Sequence, residues 1–338
     1  MTDLAAARRS PQDTATGESA GPELDLEPYR RELTGYCYRM LGSTFEAEDA
    51  VQETMVRAWR SFDRFEGRSS VRTWLHRIAT NVCLDMLGGS QRRARPMDLA
   101  APRTADGPLG EAMPEATWIQ PMPDSSILPE GGDPADLAVE RETVRLAFVA
   151  ALQHLPPRQR AVLILREVLR WKATEVAELL DTSVVSVNSA LQRARATLEQ
   201  SDLDSTDPIQ PEDDDQRELL SRYVDAFERY DMESLTALLH EDATLSMPPY
   251  ALWMRGHDSI RGWLLGTGIG CRGSRLIQTT ANGSPAFGQY RPSDSGRGHD
   301  PWALQVIEVS GNKVVGLNSF LDTASLFPLF GLPSHLDP

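Results

Sequence analysis

Cysteine is scarce: the 338 residues hold three, Cys37, Cys83 and Cys271, far apart and in no CxxC or mixed Cys/His cluster. That spacing argues against a disulfide framework and against a zinc site, leaving buried free thiols; neither a metal nor a cofactor is expected. Long apolar runs are also missing. Nothing approaches the roughly 18 residues that cross a bilayer, and the opening MTDLAAARRSPQDTATGESA lacks the apolar stretch of a signal peptide, so a cytoplasmic protein without membrane contact is expected. Lysine is nearly absent: of 34 basic residues only Lys172 and Lys313 are lysine. The rest are arginine, the side chain suited to bidentate phosphate and guanine contacts.

Net positive charge is lacking too, at −15, but the charge is unevenly placed. Residues 23–95 carry 12 basic and 11 acidic groups and residues 134–200 carry 9 and 8, whereas residues 96–133 carry 1 and 7 and residues 201–338 carry 10 and 20. Two near-neutral blocks therefore sit among acidic ones. The length predicts two or three domains. Residues 1–22 read as a disordered N-terminus. Residues 96–133, rich in Pro, Gly and acid without periodicity, read as a linker, and 201–215 as a second one. Three folded units remain: 23–95, 134–200 and 216–335.

The first unit is all helical. Leu33, Tyr36, Cys37, Met40 and Leu41 mark one helix; Ala47, Ala50, Val51, Thr54, Met55, Ala58, Trp59 and Phe62 form an amphipathic second, which a Ser43/Glu46 capping box would start. After the polar turn FEGRSS, Val71, Trp74, Leu75, Ile78 and Val82 stripe a third. The second unit predicts a helix around 134–154, then helices at 157–169, 173–180 and 183–199, the last two separated only by Asp181 and Thr182. This is the helix-turn-helix pattern, with aspartate where many such turns carry glycine. Burying Val184, Val187, Leu191, Ala194 and Leu198 leaves Ser183, Ser186, Asn188, Ser189, Gln192, Arg193 and Arg195 to face a major groove. The third unit starts with helical stripes (Leu219, Leu220, Tyr223, Val224, Phe227, Tyr230; then Leu235, Leu238, Leu239) and continues with extended stretches, SGNK turning the last pair. An α+β domain with an antiparallel sheet is expected.

The segments EAEDAVQETMVRAWRSFDRFEGRSSVRTWLHRIATNVCLDMLGGSQRR and LPPRQRAVLILREVLRWKATEVAELLDTSVVSVNSALQRARATL resemble regions 2 and 4 of bacterial sigma factors of the sigma-70 superfamily, extracytoplasmic-function group. The resemblance implies partners, core RNA polymerase and promoter DNA, and roles. Asp49, Gln52, Glu53 and Arg57 would dock on the polymerase. Arg68, Ser69, Ser70, Thr73, Trp74, Arg77 and Asn81, with Arg92 and Arg93 as a phosphate-binding tail alongside Arg95, would hold the unstacked minus-10 strand, which needs aromatic surface and positive charge together. Trp74 also fits the buried stripe. The helix from Ser183 would read the minus-35 element. About 17 base pairs between the two elements span about 60 Å, and the 38 residues of the linker could reach about 125 Å.

The third unit resembles the SnoaL-like group, whose fold is the α+β cone of ketosteroid isomerase. That implies a pocket for a small hydrophobic ligand, with Tyr250, Trp253, His257, Trp263, Trp302 and Asp322 as candidate lining; several of these aromatics would serve equally as core. Where the isomerases place their catalytic carboxylate this chain has Met247, and a thioether abstracts no proton, so no enzymatic activity is expected. Asp242, His257 and Asp322 remain acid or base groups without a common spacing. The expected fold is therefore multidomain: two all-α sigma units, a helical bundle and a helix-turn-helix, followed by an α+β cone acting as a fused regulator. The competing expectation is a metabolite-binding or metabolite-converting cone tethered to a DNA-binding module.

Overall fold

The structure, a computed structural model, describes residues 25–89, 91–129, 131, 133–199 and 213–338. The expected disordered stretch 1–22 and most of the second linker, 201–215, lie outside those residues.

Three helices open the fold: α1 (Glu27–Leu41), α2 (Thr44–Ser61) and α3 (Val71–Met86). Gly42, at φ 71°, sends its N–H to the Tyr38 carbonyl and turns the chain out of α1. Ser43 then caps α2 by accepting the Glu46 N–H, half of the expected capping box; the Glu46 carboxylate goes instead to Arg93. Leu33, Tyr36, Cys37, Met40, Ala47, Ala50, Val51, Ala58, Leu75, Ala79 and Val82 fill the space between the three helices. Trp59, assigned by spacing to that buried stripe, is 74% exposed. It sits at the edge of the stripe, where a quarter turn of the helix carries the side chain into solvent.

The helix expected over 134–154 is two, α4 (Pro134–Glu142) and α5 (Leu146–Gln153). The break has a cause. The Thr143 carbonyl accepts from buried Arg39 of α1 and the Val144 carbonyl accepts from Asn282, so neither continues a helical ladder. Helices α6 (Pro157–Leu163, prolonged by a π turn over Ile164–Val168), α7 (Ala173–Leu179) and α8 (Val184–Glu199) follow. Asp181 adopts φ 50°, the left-handed conformation that aspartate tolerates better than most residues, so the missing glycine is no obstacle to the turn.

Helices α9 (Asp214–Glu228), α10 (Met232–Leu238) and α11 (His257–Leu265) pack on a six-stranded sheet of β1 (Leu239–Ser246), β2 (Trp253–Arg255), β3 (Arg275–Ala281), β4 (Ser284–Pro292), β5 (His299–Ser310) and β6 (Lys313–Phe320). The order is β2-β1-β6-β5-β4-β3, antiparallel except for the β1/β6 pair. One core joins those helices to Phe287, Ile307, Val314 and Leu317. The other face of the sheet, with Ala286, Tyr290, Leu304 and Val306, belongs to a single continuous core with α1–α3, α5–α8 and the last helix, α12 (Thr323–Leu329). The cone is thus fused to the helical part rather than strung beside it.

Residues 91–129 form a strap between the two. Its apolar residues lie irregularly among prolines and carry no periodicity, but a mostly irregular chain with short helical turns at Pro96–Leu99, Glu115–Thr117 and Asp124–Ile127 buries them one at a time: Trp118, Ile119, Met122, Ile127 and Leu128 are all buried. Its backbone pairs with whatever it passes. Arg103 N donates to Trp253 O, Met113 N to Pro249 O, Ile119 N to Ala94 O, and Gln120 N to Gly42 O.

The β3–β4 hairpin turns at Asn282 and Gly283, both at positive φ (56° and 65°), as an Asn-Gly turn of the primed type requires. Its tip enters the junction. The Asn282 side chain donates to Tyr38 Oη (2.7 Å) and Val144 O (2.6 Å) and accepts from Met122 N (2.9 Å). A Cβ on Gly283 would lie 2.8 Å from the Arg141 carbonyl. Asn282→Gly keeps the turn but removes three buried hydrogen bonds, those to Tyr38 Oη, Val144 O and Met122 N, and should lower stability to denaturant by about 3 kcal/mol. Asn282→Ala should cost about 1 kcal/mol more, because alanine resists positive φ. Equal stability of either variant and the parent in urea unfolding would show the hairpin tip to be a passive contact.

Candidate functional site

The polar face of α2 presents Asp49, Gln52, Glu53 and Arg57 to solvent, with Arg57 Nε 2.6 Å from Glu53 Oε1. Val56 (40% exposed) and Trp59 continue it. An exposed tryptophan is a side chain of the type enriched at protein contacts. Spacing missed Trp59; its position seven residues after Gln52, two turns along the same face, is the signal that would have found it.

On α3, Ser70 caps the helix by accepting from Thr73 N, and Thr73, Arg77 and Asn81 recur every four residues along one side, Arg77 and Asn81 exposed. Arg68 is exposed and ion-paired with Glu66, and Ser69 is half-buried. Trp74 lies partly buried against Phe65, ring centroids 4.8 Å apart, with Phe62 beyond, so this loop carries a three-ring aromatic surface. Arg92 is exposed and meets His154 Nδ1 at 2.9 Å. Arg93 requires a correction. It is 4% exposed, paired with Glu46 (2.9 Å) and Glu115 (3.4 Å) and donating to Trp118 O, so its guanidinium holds the strap and offers no phosphate contact in this conformation. Arg95 likewise pairs with Asp98.

On α8, Ser183, Ser186, Asn188, Gln192, Arg193 and Arg195 are exposed and Ser189 is half-buried, while Val187, Leu191 and Ala194 are buried against α6 and α7. Val184, expected inside, is 37% exposed beside Val185 (75%), so the helix start presents methyl groups as well as hydroxyls. Arg195 pairs with Glu167 at 2.7 Å.

The two helical units are closed on each other. The Trp171 indole, just before α7, packs on the α3 side chains: the His76 ring lies 5.0 Å from it, tilted by 58°, and the Arg72 guanidinium 5.5 Å over its ring. Arg72 is also paired with Glu32. From the other side Arg160 of α6 caps the end of α1, donating to Met40 O and to Gln153. Burial pushes the Arg160 and Arg39 guanidinium groups down to about 10.

The six residues expected to line one pocket do not meet. Tyr250 and Asp322 share a cleft with the strap. Trp253 is buried, its Nε1 donating to Ala100 O of the strap; Trp263 is buried in the cone core; His257 Nε2 lies 3.0 Å from Leu239 O; Trp302 is half-buried under the Arg291 guanidinium, 3.9 Å from the ring centroid. The aromatics fill or fasten the domain, which leaves the cone interior packed with Tyr223, Phe227, Trp263 and Phe287. Met247 is buried among them, and Asp242 is exposed on β1. No group of three His, Cys, Asp or Glu side chains suited to a metal occurs among the described residues, and no helix among them is long and apolar enough to cross a membrane.

Comparison with known proteins agrees with this geometry. Residues 26–93 match the profile of Sigma-70 region 2, residues 145–198 that of Sigma-70, region 4, and residues 220–317 that of the SnoaL-like domain. The ECF RNA polymerase sigma factor SigG of Mycobacterium tuberculosis is 46% identical over 339 residues, covering 97% of this chain and 87% of its own length. The chain belongs to the ECF sigma factors. Mycobacterium tuberculosis SigJ is 30% identical over 249 residues, 72% of each chain, and Bacillus subtilis SigW 31% identical over 173 residues, 51% of this chain and 84% of its own. The crystal structure of SigJ has the same fold, with a TM-score of 0.58 at 23% identity over 91% of this chain and 98% of that one.

Burial beside Tyr36 and Trp171 holds the His76 imidazole below its ordinary pKa; Glu32, 3.4 Å away, and the Arg72 carbonyl pull upward, and burial wins. An opened state, with His76 in water, binds the proton more tightly, so His76 favours closure above its free pKa of about 6.5 and withdraws that support as pH falls through the lowered value. Asp124, pushed up to about 6 by burial, acts in the opposite sense: it favours the closed strap below its free value and loses that as pH rises towards 6. The difference between parent and His76→Gln therefore isolates the histidine. Small-angle scattering should show the parent expanding more than the variant between pH 7.5 and 5.5; identical profiles would exclude His76 as a titrating part of the closure.

Proposed function

We propose that this ECF sigma factor directs core RNA polymerase to its promoters from an opened conformation, and that the SnoaL-like cone with its strap restrains opening. In this reading the α2 face of Asp49, Gln52, Glu53, Arg57 and Trp59 docks on the polymerase. The loop and helix carrying Arg68, Ser69, Ser70, Thr73, Trp74, Arg77 and Asn81 capture the melted minus-10 strand, Arg92 adding charge. The groove-facing residues of α8, Ser183, Ser186, Asn188, Ser189, Gln192, Arg193 and Arg195, read the minus-35 element. Trp74 serves by backing the aromatic surface and Arg93 by holding the strap. Such a protein works in the cytoplasm.

The observation that carries the restraint is the Trp171 contact on α3. Elements about 60 Å apart on a promoter cannot both be held while α7 of one unit rests on α3 of the other, with rings 5.0 Å apart. The cone reinforces that closure through Asn282, whose amide binds α1, the strap and the start of the second unit together.

Run-off transcription with purified core polymerase tests both parts. The double variant Asn188→Ala, Gln192→Ala should reduce promoter-specific transcript about tenfold or more while leaving polymerase affinity unchanged. At subsaturating polymerase, protein ending at Gln200 should give several-fold more transcript than the full chain. Equal or lower output from the shortened protein would remove the restraint from the reading and leave the promoter roles standing.

A further inference from the structure

Helix α8 begins with two valines that the rest of the described chain leaves open to solvent. Val185 is 75% exposed and Val184 37%. Valine is a poor helix former, and the helical period puts Val185 on the side of α8 opposite the buried Val187, Leu191 and Ala194. Neither helix propensity nor packing accounts for it. It stands one turn before Asn188 and Ser189 and two turns before Gln192, all on one outward face. Several polar groups of that face are already committed. The Ser183 and Ser186 hydroxyls lie 2.9 Å apart, and Ser183 Oγ accepts from Ser186 N, capping the helix. Arg195 is paired with Glu167. The Asn188 and Gln192 amides are exposed and make no hydrogen bond among the described residues. From Ser183 to Gln192 there is no arginine or lysine.

That set of side chains has a base preference. In the major groove an A·T pair displays the thymine C5-methyl group together with the adenine N7 acceptor and N6 donor. Apolar methyls suit the first, and an asparagine or glutamine amide meets the second with two hydrogen bonds. Guanine is most often read by arginine, which the first two turns of α8 lack. Helices of this motif enter the groove with their N-terminal residues against the base edges, and Val185 is the second residue of α8. The seven-residue step from Val185 to Gln192 advances about 10.5 Å along the helix, close to three base-pair steps of about 3.4 Å. We infer that α8 reads an A·T-bearing stretch of the minus-35 element: Val185 packs on the methyl group of one thymine, and the Asn188 or Gln192 amide takes an adenine within three base pairs of it. Such readout rests on the promoter role of α8 proposed above and specifies the bases that the helix meets.

Deoxyuridine isolates the contact, because it pairs as thymine does and lacks only the methyl group. The full chain with core polymerase is given, at subsaturating template, a promoter that it transcribes from a genomic pool, with each thymine of the minus-35 element replaced in turn. One replacement should lower the run-off transcript about three- to fivefold, the worth of one buried methyl. Val185→Ser, at an exposed position, should keep the parent's thermal midpoint. It should lower transcript from the all-thymine template by a similar factor and be indifferent to that same replacement, whereas Val185→Ile should keep the parent's sensitivity. On templates randomised over the element, the parent should enrich thymine at that position and Val185→Ser should not. The double variant Asn188→Ala, Gln192→Ala should lose an adenine preference within three base pairs of it. A parent insensitive to deoxyuridine throughout the element, a Val185→Ser variant as sensitive as the parent, or enrichment of G·C where the double variant loses its preference would each overturn the inference and leave the promoter role of α8 standing. Absence of any promoter-specific transcript from the parent would overturn both.

Discussion

The amide of Asn282 is the joint on which the arrangement of this molecule depends. It has two donor hydrogens and one accepting oxygen, all engaged, and the partners come from α1, the strap and the bend between α4 and α5. A buried polar group must have its bonds made or it opposes folding, so the amide makes these three contacts strongly interdependent. Its backbone sits at φ 56° in a two-residue turn, a conformation that asparagine tolerates and most residues do not. The same residue therefore closes a hairpin by its backbone and fastens three other segments by its side chain. Tyr38 extends the junction, its hydroxyl accepting from Asn282 and donating to Gln120 O, while Gln120 accepts in turn from Ser43 Oγ.

That joint bears on a geometrical conflict within the chain. Reading two promoter elements requires the helical units apart, and the segment between them is long enough to allow it. Here the same segment is drawn back along the cone. Its prolines and scattered apolar residues suit it to lie as irregular chain, burying Trp118 in one place and Met122 in another, and its carboxylates meet Arg93 and Arg95. Arg93 shows how the strap takes up charge, since a guanidinium shortly after α3 is here buried against Glu46 and Glu115. Release of the strap is what would return that charge to solvent.

What was legible from residue order follows the range of the signal. Helix starts at Ser43 and Ser70, the tight turn at Asp181 and the α8 stripe of Val187, Leu191 and Ala194 are local, and spacing alone identifies them. The aromatic roles were less accessible, because Trp59, Trp253, Trp263 and Trp302 read alike as apolar residues in a pattern; only packing distinguishes an exposed one from a strap anchor, a core filler and a partner for Arg291. The strap escaped periodicity because its helical turns are three or four residues long and the chain between them has no repeat when each residue faces a different neighbour. The Asn-Gly dipeptide at 282–283 is a strong turn signal, yet nothing local says that its side chain will enter a cavity made by residues more than 130 positions earlier.

A restraint of this kind has to be strong enough to hold and weak enough to yield. Favouring closure by 99 to 1 needs about 2.7 kcal/mol, and net contributions of about 0.5–1.5 kcal/mol per buried hydrogen bond supply that from a handful of contacts: three at Asn282, two from Arg39 to Thr143 and the Trp171 contact. The apolar core that runs through both helical units, the strap and one face of the sheet adds to these joints, and opening has to offset both. Charge adds a longer-ranged bias, since residues 213–338 carry 16 acidic and 10 basic groups and hold a negative body against the helical units while they are closed. The proposed docking face on α2 does not include the Trp171 contact, so under the proposal above opening falls to whatever binds the separated units together, and duplex promoter DNA, rigid over about 60 Å, is the partner whose shape favours the open form alone.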